Sequence, residues 1–305
     1  MLKHSILCIL IAILAVSCKN GGTQAKPSDD KPIITVTIEP LRYLTEAIAG
    51  DRFTVVSMVP KGSSPESYDP TPQQLVELSR SKAYFRIGYI GFEQVWLDKL
   101  TDNAPHLQFF DTSKGVELIA DNTHIPHTKG DHGTNEEHDG HQHFGIDPHT
   151  WNSPTNAQII STNILDALCT IDKAGQAYYV ERYNALHKQI EKTDSIICGM
   201  LSAPKATHAF MIYHPALSYF ARDYGLHQIP IEEGGKEPSP VYLKNMIDKC
   251  KAEKVNVIFV QPEFDRRNAE LIAKQTGARI VPINPLSYDW EQEMLNTAKE
   301  LIKVN

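Results

Sequence analysis

The feature that most constrains this chain is a strand–helix alternation that occurs twice, on either side of one very long helical pattern. In the first run, Ile33–Ile38, Phe53–Val59, Ala83–Ile87 and Leu107–Phe110 are short, rich in β-branched or aromatic residues and bounded by breakers, which predicts four strands. Helical spacing separates them: Leu41, Leu44 and Ile48 after Pro40, then Leu75, Val76 and Leu78, then Phe92–Leu100. The second run places strands at Thr207–Tyr213, His227–Ile231, Val255–Val260 and Arg279–Ile283. Its helices fall at Ala216–Tyr224, after Ser239-Pro240, at Arg267–Gln275 and at Trp290–Ile302. Repeated βα units imply parallel sheets with helices on their faces.

Between the two runs, Ser153-Pro154 opens one helix and Ala174–Ser202 forms a second. The apolar stripe of the second passes through Tyr179, Tyr183, Leu186, Ile190, Ile197 and Leu201. At 1.5 Å per residue it reaches about 43 Å, enough to cross a whole domain. The expected fold is therefore α/β: two lobes, each a mostly parallel sheet flanked by helices, joined by a rigid spine with a cleft between them. The boundaries expected are 33–172 for the first lobe, 173–203 for the spine and 204–305 for the second lobe.

The first residues read as an address. Lys3 and His4 precede an apolar run from Ile6 to Val16, about 16 Å long as a helix and too short to span a bilayer core of ~30 Å. That is the anatomy of a signal peptide over 1–17. It ends in Leu14-Ala15-Val16-Ser17-Cys18, which resembles a bacterial lipobox and implies cleavage before Cys18 and lipidation of its thiol. Residues 18–32 are polar and breaker-rich, as a flexible tether should be. No later segment holds eighteen uninterrupted apolar residues, so lipid is the expected membrane attachment.

A formal net charge of −7, with no basic cluster longer than Arg266-Arg267, argues against nucleic acid as a partner. Neither GxGxxG nor a P-loop pattern occurs. Beyond Cys8 and Cys18, Cys169, Cys198 and Cys250 remain, without a C-x-x-C spacing, and all three are expected to be small buried hydrophobes rather than a disulfide.

Seven of the thirteen histidines lie between His124 and His149. Six of them, His124, His127, His132, His138, His141 and His143, fall in a polar, aperiodic stretch (121–145) that is expected to be a mobile loop. Neutral imidazole is the commonest side-chain ligand for Zn²⁺ and its neighbours, so this loop is expected to capture such ions loosely. A tight site needs fixed ligands, and open α/β sheets bind beyond the carboxyl ends of their strands. Glu66 in GSSPESYDP, His149 in DPHTW and His214 in Tyr213-His214-Pro215 stand at such places. Taken singly, each also reads as an ordinary turn residue.

Five ordered pieces resemble one family: GSSPESYDPTPQQL, the His-rich loop before DPHTW, YHPALSYFARDYGL, EEGGKEPSP, and VNVIFVQPEFDRRNAELIAKQTGARIVPINPLSYD. From about Ile33 onward the chain resembles the zinc- and manganese-specific solute-binding lipoproteins of ABC importers, nearest the zinc branch. The resemblance implies two lobes on a helical spine, one metal in the cleft, and delivery to a membrane permease by a periplasmic, membrane-anchored, monomeric carrier. It matches His149 and His214 to two ligands of the family. Glu66 stands where the family commonly has a histidine, and Asn284 where it often has an aspartate. The acid usual at the preceding strand end is replaced by Gln261-Pro262-Glu263. Asn284 is a weak neutral donor, and water can take its place. The set suits Zn²⁺ and also Mn²⁺ or Fe²⁺, with the His-rich loop favouring zinc.

A secreted zinc hydrolase also uses two histidines, a glutamate and an open position. No HExxH occurs, and the resemblance places Glu232, Glu233 and Glu237 at the lobe surface, away from a general-base position. A metal-binding adhesin is the third reading.

Overall fold

The computed structural model describes residues 31–120, 145–204, 206–233 and 235–303. The signal segment, Cys18, most of the tether and the six loop histidines lie outside the described residues. Among the described residues, eight strands form two four-stranded sheets of identical topology. In the first, β1 (Ile33–Val36), β2 (Thr54–Ser57), β3 (Ser81–Arg86) and β4 (Gln108–Asp111) are ordered β2-β1-β3-β4. In the second, β5 (Ala209–Ile212), β6 (His227–Pro230), β7 (Val257–Val260) and β8 (Arg279–Pro282) are ordered β6-β5-β7-β8. Every pairing is parallel, with Ile34 opposite Val55 and Ala83 in one sheet and Met211 opposite Ile229 and Ile258 in the other. β5 and β7 are buried along their whole length, as central strands covered on both faces must be.

The helices begin where side chains can satisfy their free N–H groups. Thr71 and Gln74 form a capping box on α2 (Pro72–Leu78). Ser153 accepts from Asn156 N at the start of α4 (Pro154–Ile171), and Ser239 accepts from Tyr242 N at the start of α7 (Pro240–Ala252), each with proline just inside. α1 (Glu39–Ala49), α3 (Gly91–Asn103), α6 (Ser218–Asp223), α8 (Arg267–Thr276) and α9 (Trp290–Leu301) complete the set. The long helix α5 spans Gln176–Leu201, 26 residues, and follows a 3-10 turn at Lys173–Gly175. It is about 39 Å long.

The packing does not divide at residues 173 and 204. One apolar cluster runs from Ile34, Phe85 and Ile160 through Tyr179 and Ile190 to Phe210, Phe259, Trp290 and Leu301. Helix α9 returns to pack on α5, and a smaller cluster around Met211, Ile258 and Ile272 fills the far face of the second sheet. Two buried indoles join the chain across the cleft floor: Trp151 Nε1 donates to Pro285 O at 2.8 Å, and Trp290 Nε1 donates to Trp151 O at 2.7 Å. Cys169, Cys198 and Cys250 are all free thiols, but only Cys250 is buried; Cys198 is exposed, since its turn of α5 faces solvent.

Candidate metal centre

His214 follows the carboxyl end of β5, and Gln261 follows that of the neighbouring β7, at the point where strand order reverses. The Gln261 side chain fixes the His214 main chain from both sides. Its Nε2 donates to His214 O at 2.6 Å, and its Oε1 accepts from His214 N at 3.3 Å. The Phe264 ring stacks on the imidazole, centroid to centroid 5.4 Å at 20°. Opposite, His149 sits in the turn leading into α4, buried against Trp151 at 5.3 Å.

Each imidazole is oriented by a carboxylate. Asp147 Oδ1 lies 2.8 Å from His149 Nδ1 and also accepts from His149 N at 2.9 Å. Glu232 Oε1 lies 3.0 Å from His214 Nδ1. An ionised carboxylate only accepts, so both Nδ1 atoms carry hydrogen and each ring turns its Nε2 toward the other, where a neutral ring would offer a lone pair to a metal. Those two Nε2 atoms face each other at 3.2 Å. Burial pushes the His149 pKa down, but the Asp147 carboxylate outweighs it and holds the ring above its usual value. Burial alone would raise Asp147; His149 keeps it below the usual carboxylate range.

Around this pair is a cavity of about 30 Å³ lined by Glu66, Gln261, Glu263 and Phe264 among others. The Glu66 carboxylate accepts from Gly91 N at 3.2 Å, at the positive end of α3. Burial raises the pKa of the half-buried Glu263. Among the described residues no three His, Cys, Asp or Glu side chains are gathered at ligating distance. The chain presents two converged imidazoles with carboxylates around them.

The structure thus places Glu66, His149 and His214 on one cleft, and Asn284 elsewhere. Asn284 lines an adjacent cavity of about 200 Å³ beside Lys61 and Asp289. Its Oδ1 accepts from Leu286 N at 3.1 Å, and its N–H donates to Glu293, so the turn uses the side chain locally. The surface position expected for Glu232 is also corrected: it is 5% exposed because β6 pairs beside β5 and delivers it behind His214. Sequence reasoning missed Asp147, Glu232, Gln261 and Glu263 as site residues. Asp147 was within reach, two residues before the histidine in Asp147-Pro148-His149; Glu232 depends on strand pairing.

A family model described as "Zinc-uptake complex component A periplasmic" matches residues 34–303. The iron ABC transporter substrate-binding lipoprotein MtsA of Streptococcus pyogenes serotype M1 is 28% identical over 89% of this chain and 84% of its own length. The manganese ABC transporter substrate-binding lipoprotein PsaA of Streptococcus pneumoniae is 27% identical over 90% of this chain and 87% of its own. The crystal structure of ZnuA superposes with a TM-score of 0.80 at 33% identity, covering 90% of this chain and 98% of that one. Among the described residues no helix is long and apolar enough to cross a membrane. With the match running from β1 to the end of α9, the chain belongs to the periplasmic zinc-uptake component A family, the metal-binding substrate-binding lipoproteins of ABC importers.

Proposed function

We propose that this chain captures Zn²⁺ outside the cytoplasmic membrane, tethered through lipidated Cys18, and delivers it as cargo to the permease of an ABC importer. The ligands proposed are His149, His214 and Glu66, with the six loop histidines as loose capture sites feeding the cleft. One observation carries the reading. With both Nδ1 atoms turned to carboxylates, the two Nε2 atoms converge at 3.2 Å, a spacing that either a shared proton or a metal ion between them satisfies. Two nitrogens bound tetrahedrally at 2.0–2.1 Å from zinc are separated by about 3.3 Å, so the imidazoles already stand at the edge length a zinc ion requires. Imidazole-rich coordination and an imidazole-rich loop favour zinc over the harder manganese ion.

A hydrolase would need a free carboxylate to activate water. Asp147 and Glu232 are engaged by the Nδ1 atoms, so neither serves as that base, and the carrier reading takes Glu66 as a ligand instead. The test is competition titration of Zn²⁺ against Mn²⁺ and Fe²⁺ on the full chain, with His149→Ala and His214→Ala. Losing even an outer-shell partner of a metal site costs about 10–100-fold in affinity, so each variant is expected to lose roughly 100-fold or more for zinc. Parent-like binding in both variants, or tighter binding of manganese than zinc by the parent, would overturn the reading.

A further inference from the structure

We propose that Glu263 is the fourth donor to the captured metal, so that each lobe supplies one imidazole and one carboxylate: His149 with Glu66, and His214 with Glu263. This rests on the reading of the cleft as the capture site and names a ligand that the reading leaves open.

Three observations lead to it. The Asn284 side chain accepts from Leu286 N and lines the neighbouring cavity rather than the one that holds the two imidazoles. The strand-end position beside His214 is filled by an amide, and the amide is used as one. Gln261 donates to His214 O and accepts from His214 N. A carboxylate there could accept but not donate, and would set an anion against a carbonyl oxygen. Gln261 is therefore committed to holding the main chain of a ligand.

The third observation is where the next carboxylate falls. The chain turns directly after Gln261, with Phe264 N donating to Gln261 O at 3.3 Å, and the Phe264 ring lies flat on the His214 imidazole. Glu263, between these two anchored residues, lines the same cavity as Glu66, His149 and His214. It forms no ion pair with Lys or Arg among the described residues. Asp147 and Glu232 are each bound to an Nδ1 atom, which leaves Glu66 and Glu263 as the cleft carboxylates able to turn onto an ion between the Nε2 atoms.

The experiment uses the full chain with Co²⁺ as a spectroscopic probe and Zn²⁺ as competitor, comparing Glu263→Gln, Asn284→Ala and the parent. Co²⁺ visible absorption at saturation reports the donor set itself and is unmoved by a change that only loosens the fold. Glu263→Gln is expected to alter that spectrum and to weaken Zn²⁺ about 10-fold or more. Asn284→Ala is expected to leave both as in the parent. An unchanged saturated spectrum in Glu263→Gln, or an altered one in Asn284→Ala alone, overturns the assignment while leaving the capture site standing. Binding that survives His149→Ala and His214→Ala removes the capture site, and Glu263 with it.

Discussion

Gly91 shows how closely one residue can control a ligand. A Cβ built there would meet the Glu66 carbonyl oxygen at 2.7 Å and its Oε2 at 2.9 Å. The first contact is with backbone, which cannot swing away as a side-chain tip can. Gly91→Ala is therefore expected to displace the 64–66 turn and weaken zinc by about 10-fold, in the range of a lost supporting contact. In combination with Glu66→Ala the two losses should not add, because both act through one carboxylate; additive losses in a double-mutant cycle would show that Glu66 is not the route. At this scale the sequence was readable where chemistry sits at a chain junction. Glu66, His149 and His214 each follow or precede a regular element by a few residues. Glu232 lies 18 positions from His214 and reaches it only through the β5–β6 ladder. The role of Asn284 was unreadable for the opposite reason: its partner is two residues away, and a local turn competes with the cleft for the same oxygen.

Among the elements, α3 and the two strands behind it meet at the first sheet's own reversal of order, between β1 and β3. That position is filled by a side chain from the helix. Glu93, wholly buried, accepts from Ile87 N at 2.9 Å and from Gly88 N, and takes the Thr37 hydroxyl. Burial raises its carboxyl from 4.5 to about 7, against the lowering effect of those donors. The folded chain thus keeps a proton that the unfolded chain has released. This contribution to stability is fully present below pH 4.5, falls as pH rises, and is gone above about pH 7. At about 1.4 kcal/mol per pKa unit it amounts to on the order of 3 kcal/mol. Urea denaturation of the metal-free chain between pH 5 and pH 8 should show the decline, and Glu93→Gln should flatten it; parallel slopes in the two proteins would contradict the assignment. The elements themselves were legible because their ends carry their own chemistry, as at Thr71, Ser153 and Ser239. Strand ends moved by one or two residues, since a ladder stops where its neighbour stops and no single strand encodes that.

On the scale of the whole molecule, the sequence showed two sheets and a strut but not how the lobes are joined. A helix pattern does not reveal what its outer face will cover, so the return of α9 onto α5 and the single core running through both sheets appear only in three dimensions. Nor does anything local announce that Trp151 and Trp290 will hydrogen-bond in relay from the second lobe's last strand connection back to the turn that carries His149.

That relay bears on how the cargo leaves. Swinging two lobes apart would strip a buried indole N–H from its carbonyl and drag a large surface through solvent, and such motion is slowed by friction with the medium. Turning a carboxylate or tilting a ring inside a closed cleft scarcely feels that friction. With the lobes tied at the cleft floor, the ion's escape is governed by the side chains that hold it. Its dissociation rate, followed by stopped-flow capture with a chelator, should stay nearly constant as glycerol thickens the solution. A rate falling in proportion to viscosity would mean that the lobes part first. A rate that stays constant would mean that whatever receives the ion must loosen individual ligands at the mouth of a cleft whose walls stay where they are.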